Sequence, residues 1–149
     1  MLDGLFVGPA VQAVAEALVS SHADAAQETV AVVGHAKLAQ ALAKKQTVLA
    51  VGLTERAAKK FPGALADLAS IATGSIAAVI GVDVASDDDW EAALREWTRV
   101  VRDGGASIFV DRGHAPEASR RALCSGLTEL EQRRSGRLVV TSGLVSHLT

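Results

Sequence analysis

The stretch Trp90-Glu91-Ala92-Ala93-Leu94-Arg95-Glu96-Trp97-Thr98-Arg99-Val100-Val101-Arg102-Asp103-Gly104-Gly105-Ala106-Ser107-Ile108-Phe109-Val110 carries the reading of the fold. Its apolar residues Trp90, Leu94, Trp97 and Val101 are spaced four, three and four apart, which lines them along one side of a helix. Asp87, Asp88 and Asp89 precede that helix, where negative charge favours an N-terminus. Arg99 and Arg102 sit near its end, where positive charge is favourable, and Gly104-Gly105 is the expected stop. The short apolar run over residues 106–110 then reads as a buried strand.

The same alternation extends toward the N-terminus. Thr29-Val30-Ala31-Val32-Val33-Gly34 and Thr47-Val48-Leu49-Ala50-Val51-Gly52 are two short apolar runs of similar length, each ending on Gly. Between them residues 35–45 read as a helix, with Leu38, Ala41 and Leu42 on one side and Lys37, Lys44 and Lys45 on the other. Thr54 is an N-cap candidate with Glu55 placed for the helix dipole, and Pro62-Gly63 stops that element. Ile76-Ala77-Ala78-Val79-Ile80-Gly81-Val82 is a third strand. Pro9 opens a first amphipathic helix through Val11, Val14, Ala15 and Leu18. With Leu5-Phe6-Val7, that helix is expected either to cap the sheet or to dock on another subunit. Downstream, Pro116 opens a helix to about Cys124, and residues 127–145 read as two strands around Ser135-Gly136. The expected class is α/β, a mostly parallel sheet with helices on both faces and an antiparallel hairpin at one edge. A single domain over 1–149 is expected, with residues 1–28 an N-terminal helix and linker and 29–149 the α/β core.

Composition narrows the function. The 149 residues carry 15 Lys+Arg against 17 Asp+Glu, a formal net charge of −2, which argues against a general binder of nucleic acid or anionic membrane. Arg133, Arg134 and Arg137, with Arg120 and Arg121 upstream, read as the only basic concentration. Glu117, Glu129 and Glu131 interleave with them, so a solvated mixed surface is the better reading. Aromatic residues are 3% with no Tyr, too few for a base-stacking platform. One cysteine, Cys124, excludes an internal disulfide; its neighbours Leu123 and Leu127 suggest a buried structural thiol. No stretch approaches the roughly 18 to 20 apolar residues of a membrane helix, so the chain reads as soluble and cytoplasmic, with no membrane partner.

The segment 90–110, with Arg99-Val100-Val101-Arg102-Asp103-Gly104-Gly105 running into an apolar strand, resembles the class I S-adenosylmethionine-dependent methyltransferases. The tail Gly126-Leu127-Thr128-Glu129-Leu130-Glu131 followed by Arg137-Leu138-Val139-Val140-Thr141 is similar to the family's closing hairpin. The resemblance spans roughly residue 29 to the end and implies a Rossmann-like sandwich. The family's cofactor motifs depart here. Gly34, followed by His35, stands where a loop of several glycines approaches the cofactor. Gly52 stands where an acid receives the ribose hydroxyls, and Ile76-Ala77 stands for a Phe-Asp pair.

In open α/β sheets ligands sit at the carboxyl ends of strands where the strand order reverses. If the order follows the family's, that point lies between the strands ending at Gly34 and Val82, with His35 and Asp83 at its mouth and Asp111 nearby. A His near two carboxylates suits a general base or a weak metal site; the plainer reading is solvated residues at strand ends. Preserved fold features beside absent cofactor features imply a non-catalytic, methyltransferase-like interaction or scaffold module. The N-terminal domain of the anamorsin family uses the fold in that way. The expectation is then no cofactor, no metal and no catalytic residue, with a protein partner or homo-oligomer and no nucleic acid. The alternative is a small active S-adenosylmethionine-dependent methyltransferase with an atypical cofactor loop.

Overall fold

The computed structural model describes residues 7–24 and 27–147; Leu5 and Phe6 lie outside the described residues. Five helices and six strands follow in the order α1 Val7–Ser20, β1 Thr29–Val33, α2 Ala36–Leu42, β2 Thr47–Val51, α3 Glu55–Ala58, β3 Ile76–Val82, α4 Trp90–Val100, β4 Val101–Arg112, α5 Ala115–Cys124, β5 Thr128–Ser135 and β6 Leu138–Leu144. The strands form one sheet in the order β2-β1-β3-β4-β6-β5. β1 pairs in parallel with β2 and β3, β3 pairs in parallel with β4, and β6 runs antiparallel to both β4 and β5. The α/β class, the parallel core and the antiparallel edge hairpin are as the alternation predicts.

Alternation within each strand sorts the core onto two faces. Val30, Val32, Ile80, Ile108 and Val110 pack under α1 and α2, against Val14, Leu18, Leu38 and Leu42. Ala31, Val79 and Phe109 face the other way, toward Leu94, Trp97 and Val100 of α4 and Ala118 and Ala122 of α5. Burying each branched aliphatic side chain contributes about 1.5–3 kcal/mol. Trp97 meets Phe109 edge to face at 5.9 Å between ring centroids, adding about 0.5–1.5 kcal/mol. The Trp97 indole lies over Gly81, where any Cβ would collide with the ring. A glycine in β3 therefore lets this helix approach the sheet.

The expected stop at Gly104-Gly105 differs from what the chain does. α4 passes directly into extended backbone at Val101, the first residue of β4. Pairing then jumps from Ile76–Val101 to Ala78–Ala106, so the glycines lie in an irregularity of the strand rather than in a cap. Gly105 is pressed against the Ala77 carbonyl, which leaves no room for a side chain. From the same irregularity Arg102 reaches Glu28 by two hydrogen bonds, of 2.5 and 3.0 Å, tying the segment before β1 to β4.

Candidate functional site

Because β1 lies between β2 and β3, strand order reverses at the β1/β3 pair, and helices leave it on opposite faces. At the carboxyl ends of β1 and β2 lies a crevice of about 340 Å³, with walls that include Val33, Val51, Gly52, Asp67, Leu68 and Trp97 and with Glu96 also lining it. Gly34 closes β1 at φ 77, a left-handed conformation that suits glycine, and space above it is open.

A segment without helix or strand supplies the outer wall. Leu65 pairs with Val51 as a single parallel bridge: its amide donates to Ala50 O at 2.9 Å, and its carbonyl accepts from Gly52 N at 2.9 Å. This pairing returns Ala66 and Asp67 over the end of β2. Asp67 Oδ1 accepts from Ala69 N at 2.9 Å, and its Oδ2 has no hydrogen-bond partner among the described residues. Arg99 fixes the continuation, donating to Leu68 O at 3.0 Å and Ile71 O at 2.9 Å. The same guanidinium grips Glu96 through both oxygens, and its hydrogen bond lowers the Glu96 pKa. The result is an apolar slot with a tryptophan beside it and two carboxylates among its lining residues.

The residues singled out from the sequence fall in different places. His35 is 8% exposed and caps α2, with Nδ1 accepting from Leu38 N at 3.1 Å, so that nitrogen is occupied structurally. Asp83 is half-buried just past β3 at φ 56, and its amide donates to Val110 O at 2.8 Å. Asp111 is not a solvated strand-end residue. It is 2% exposed, with Oδ1 accepting from Ala85 N at 2.8 Å and a buried Oδ2 without a partner among the described residues. Burial pushes its carboxyl up to about 6 against the lowering effect of the Ala85 bond, and the nearby charge of Asp83 adds to the rise. Gly52 lines the crevice, whereas Ala77 lies near the opposite, amino end of β3.

Two other expectations change. Cys124 is exposed at the end of α5, because Leu123 beside it also faces outward at 63% exposure while Ala118 and Ala122 make the buried side. Of the apolar side expected of α4, Trp97 is buried in the core, whereas Trp90 is half-buried and lies under the guanidinium groups of Arg120 and Arg121, at 5.6 and 5.1 Å. Those arginines both pair with Glu117, and Arg133 pairs with Glu131, giving the mixed surface expected there. Among the described residues no three His, Cys, Asp or Glu side chains form a metal-binding group, and no helix is long and apolar enough to cross a membrane. Asp67 and Glu96 were not singled out from the sequence. The only signal for Asp67 is its isolation as the sole carboxylate between Glu55 and Asp83.

No family model matches the sequence, and no curated protein matches it. Solved structures do. A protein from Methanococcus maripaludis assigned as an S-adenosylmethionine-dependent methyltransferase superposes with a TM-score of 0.71 at 13% identity, over 97% of this chain and 89% of the other. A chain from the complex between the Haloferax volcanii Trm112 methyltransferase activator and its assigned methyltransferase gives 0.70 at 14% identity, over 91% and 89%. The TehB-like S-adenosylmethionine-dependent methyltransferase of Corynebacterium glutamicum gives 0.64 at 16%, over 97% and 100%. The chain thus has the Rossmann-like fold of the class I methyltransferases. The expectation of no cofactor is corrected by the same finding: the structures that share this fold include proteins described as S-adenosylmethionine-dependent methyltransferases.

Proposed function

We propose that this chain is a small S-adenosylmethionine-dependent methyltransferase whose cofactor site is assembled differently from the usual glycine-rich loop. The observation that carries the reading is the position of Asp67 beside Gly52. The end of β2 has no side chain to accept hydrogen bonds from a ribose, and Asp67 Oδ2, brought to the same wall by the Leu65 bridge, can accept one. Val33, Val51, Leu68 and Trp97 offer the apolar surface that a planar heterocycle needs, with few polar groups to orient it. The open space above Gly34 lets backbone approach a ligand. When bound, the cofactor supplies an activated methyl group. The protein's part is then to hold it, through Asp67 and the Arg99-fixed wall, and to orient an acceptor beside it.

Calorimetric titration with S-adenosylmethionine and S-adenosylhomocysteine tests this. Saturable heat at about one site per chain is expected, weakened at least tenfold in D67A, the loss of about one good hydrogen bond. No heat from either ligand, in protein shown to be folded, overturns the reading.

A second reading, in which the fold serves protein contact, is favoured by the outer side of α1. Gly8, Val11, Ala15 and Val19 line a shallow surface there, with Val19 57% exposed. Light scattering on a concentration series would show a mass of two chains that reverts to one in V19E. A single-chain mass throughout counts against self-association.

A further inference from the structure

All five lysines of the chain lie between positions 37 and 60. Residues 35–63 hold six basic side chains and one acidic one, Glu55, whereas the other positions hold nine basic and sixteen acidic. The small net charge of −2 therefore hides a polarised molecule with a basic end at the β2 edge of the sheet. There α2 and α3 enclose a groove of about 340 Å³ lined by Lys37, Gln40, Thr54, Arg56 and Lys60. Among the described residues no carboxylate lines it. Arg99, Arg102, Arg120, Arg121 and Arg133 elsewhere are each held by a glutamate, but among the described residues Lys37, Arg56 and Lys60 have no ion-pair partner. Three exposed like charges around one groove repel each other, and an anion between them relieves that cost.

We propose that this groove binds the phosphate backbone of a single-stranded nucleic acid. The donor set fits phosphate: Arg56 offers a planar fork, Lys37 and Lys60 offer point charges, and Gln40 and Thr54 add neutral donors. Among the described residues no aromatic side chain lines the groove, so bases are not stacked and binding is independent of sequence. The groove, about 340 Å³ between two short helices, has the size for a few phosphates of one strand. Thr54 lies two residues from Gly52 of the crevice, so a strand held here reaches the crevice mouth. That last link rests on the cofactor reading above and would make the nucleic acid the methyl acceptor; the groove's affinity does not depend on it.

The test is fluorescence anisotropy with a labelled 12-residue oligouridine and no cofactor present, so a missing cofactor site cannot mask the result. Saturable binding is expected, with the logarithm of affinity falling against the logarithm of salt at a slope of about −2, from three phosphate contacts. K37E and K60E, both at exposed positions, should each weaken binding several-fold and reduce the slope by about 1. R137E, on the distant hairpin, should change neither. Absence of binding at low salt, equal binding by the K37E/K60E double variant with its circular dichroism unchanged, or equal affinity for a polyglutamate of matched charge would each overturn the proposal.

Discussion

The Asp111 carboxyl accepts one hydrogen bond from the Ala85 amide and buries its second oxygen without a partner among the described residues. Its pKa of about 6 lies above the ordinary 3.8, so the folded chain holds this proton more tightly than the unfolded chain does. The sign follows from linkage. Below about pH 4 the group is neutral in both states and costs nothing; the cost of ionising it in the fold grows as pH rises from 4 to 6 and is complete above 6. The full difference is about 3 kcal/mol. Urea denaturation of the wild type and D111N at pH 4 and pH 7 should show the wild type losing about 2–3 kcal/mol relative to the variant over that interval. Parallel profiles would mean that Asp111 does not titrate there. Glu117 titrates in the opposite sense. Hydrogen bonds from Arg120 and Arg121 hold it down to about 2, so what it contributes is present above about pH 4.5 and fades as pH falls toward 2.

At the level of elements, two arginines fasten otherwise irregular segments to helices. Arg121 of α5 donates to the carbonyls of Val84 and Asp87 at 2.6 and 2.8 Å, while Asp111 of β4 takes the Ala85 amide. The turn after β3 is thus held from its donor side by one element and from its acceptor side by another. R121M keeps much of the apolar stem but takes the side-chain donor from both carbonyls, leaving Val84 O only the longer 3.3 Å bond from the Asp87 amide. It should lower the unfolding free energy at pH 7 by about 2 kcal/mol, measured by urea denaturation. Arg99 does the same for the crevice wall through Leu68 and Ile71. Periodicity placed Arg99 at the end of a helix but gave no sign of the carbonyls it would meet, because those belong to a segment with no pattern of its own.

At the scale of the whole molecule, a ligand that binds the folded crevice but not the unfolded chain adds to stability. S-adenosylhomocysteine at a hundred times its dissociation constant should add about 2.7 kcal/mol to the unfolding free energy, read as an upward shift of the thermal midpoint. A midpoint that stays fixed at millimolar ligand would speak against the proposed cofactor site. The charge polarity is a second molecular property. An acidic body with a basic β2 edge orients an approaching polyanion toward the groove, and added salt should weaken that encounter.

The sequence by itself determined the order of elements, since strands of five to seven apolar residues and helices with Leu94 and Trp97 on one face are local consequences of residue spacing. Thr54 capping α3 was legible for the same reason: an N-cap is settled within four residues. The strand order, the register jump beside Gly105 and the exposure of Cys124 depended on which faces met. The candidate site was the least legible part. His35 looked chemical and is a cap, Asp111 looked solvated and is buried, and Asp67 drew no notice until the Leu65 bridge carried it to Gly52. Local spacing fixes secondary structure through short-range sterics and hydrogen bonds. Whether a carboxylate is buried, paired or left facing a crevice depends on neighbours 15 to 30 residues away in the chain, and only the packed tertiary structure brings those together.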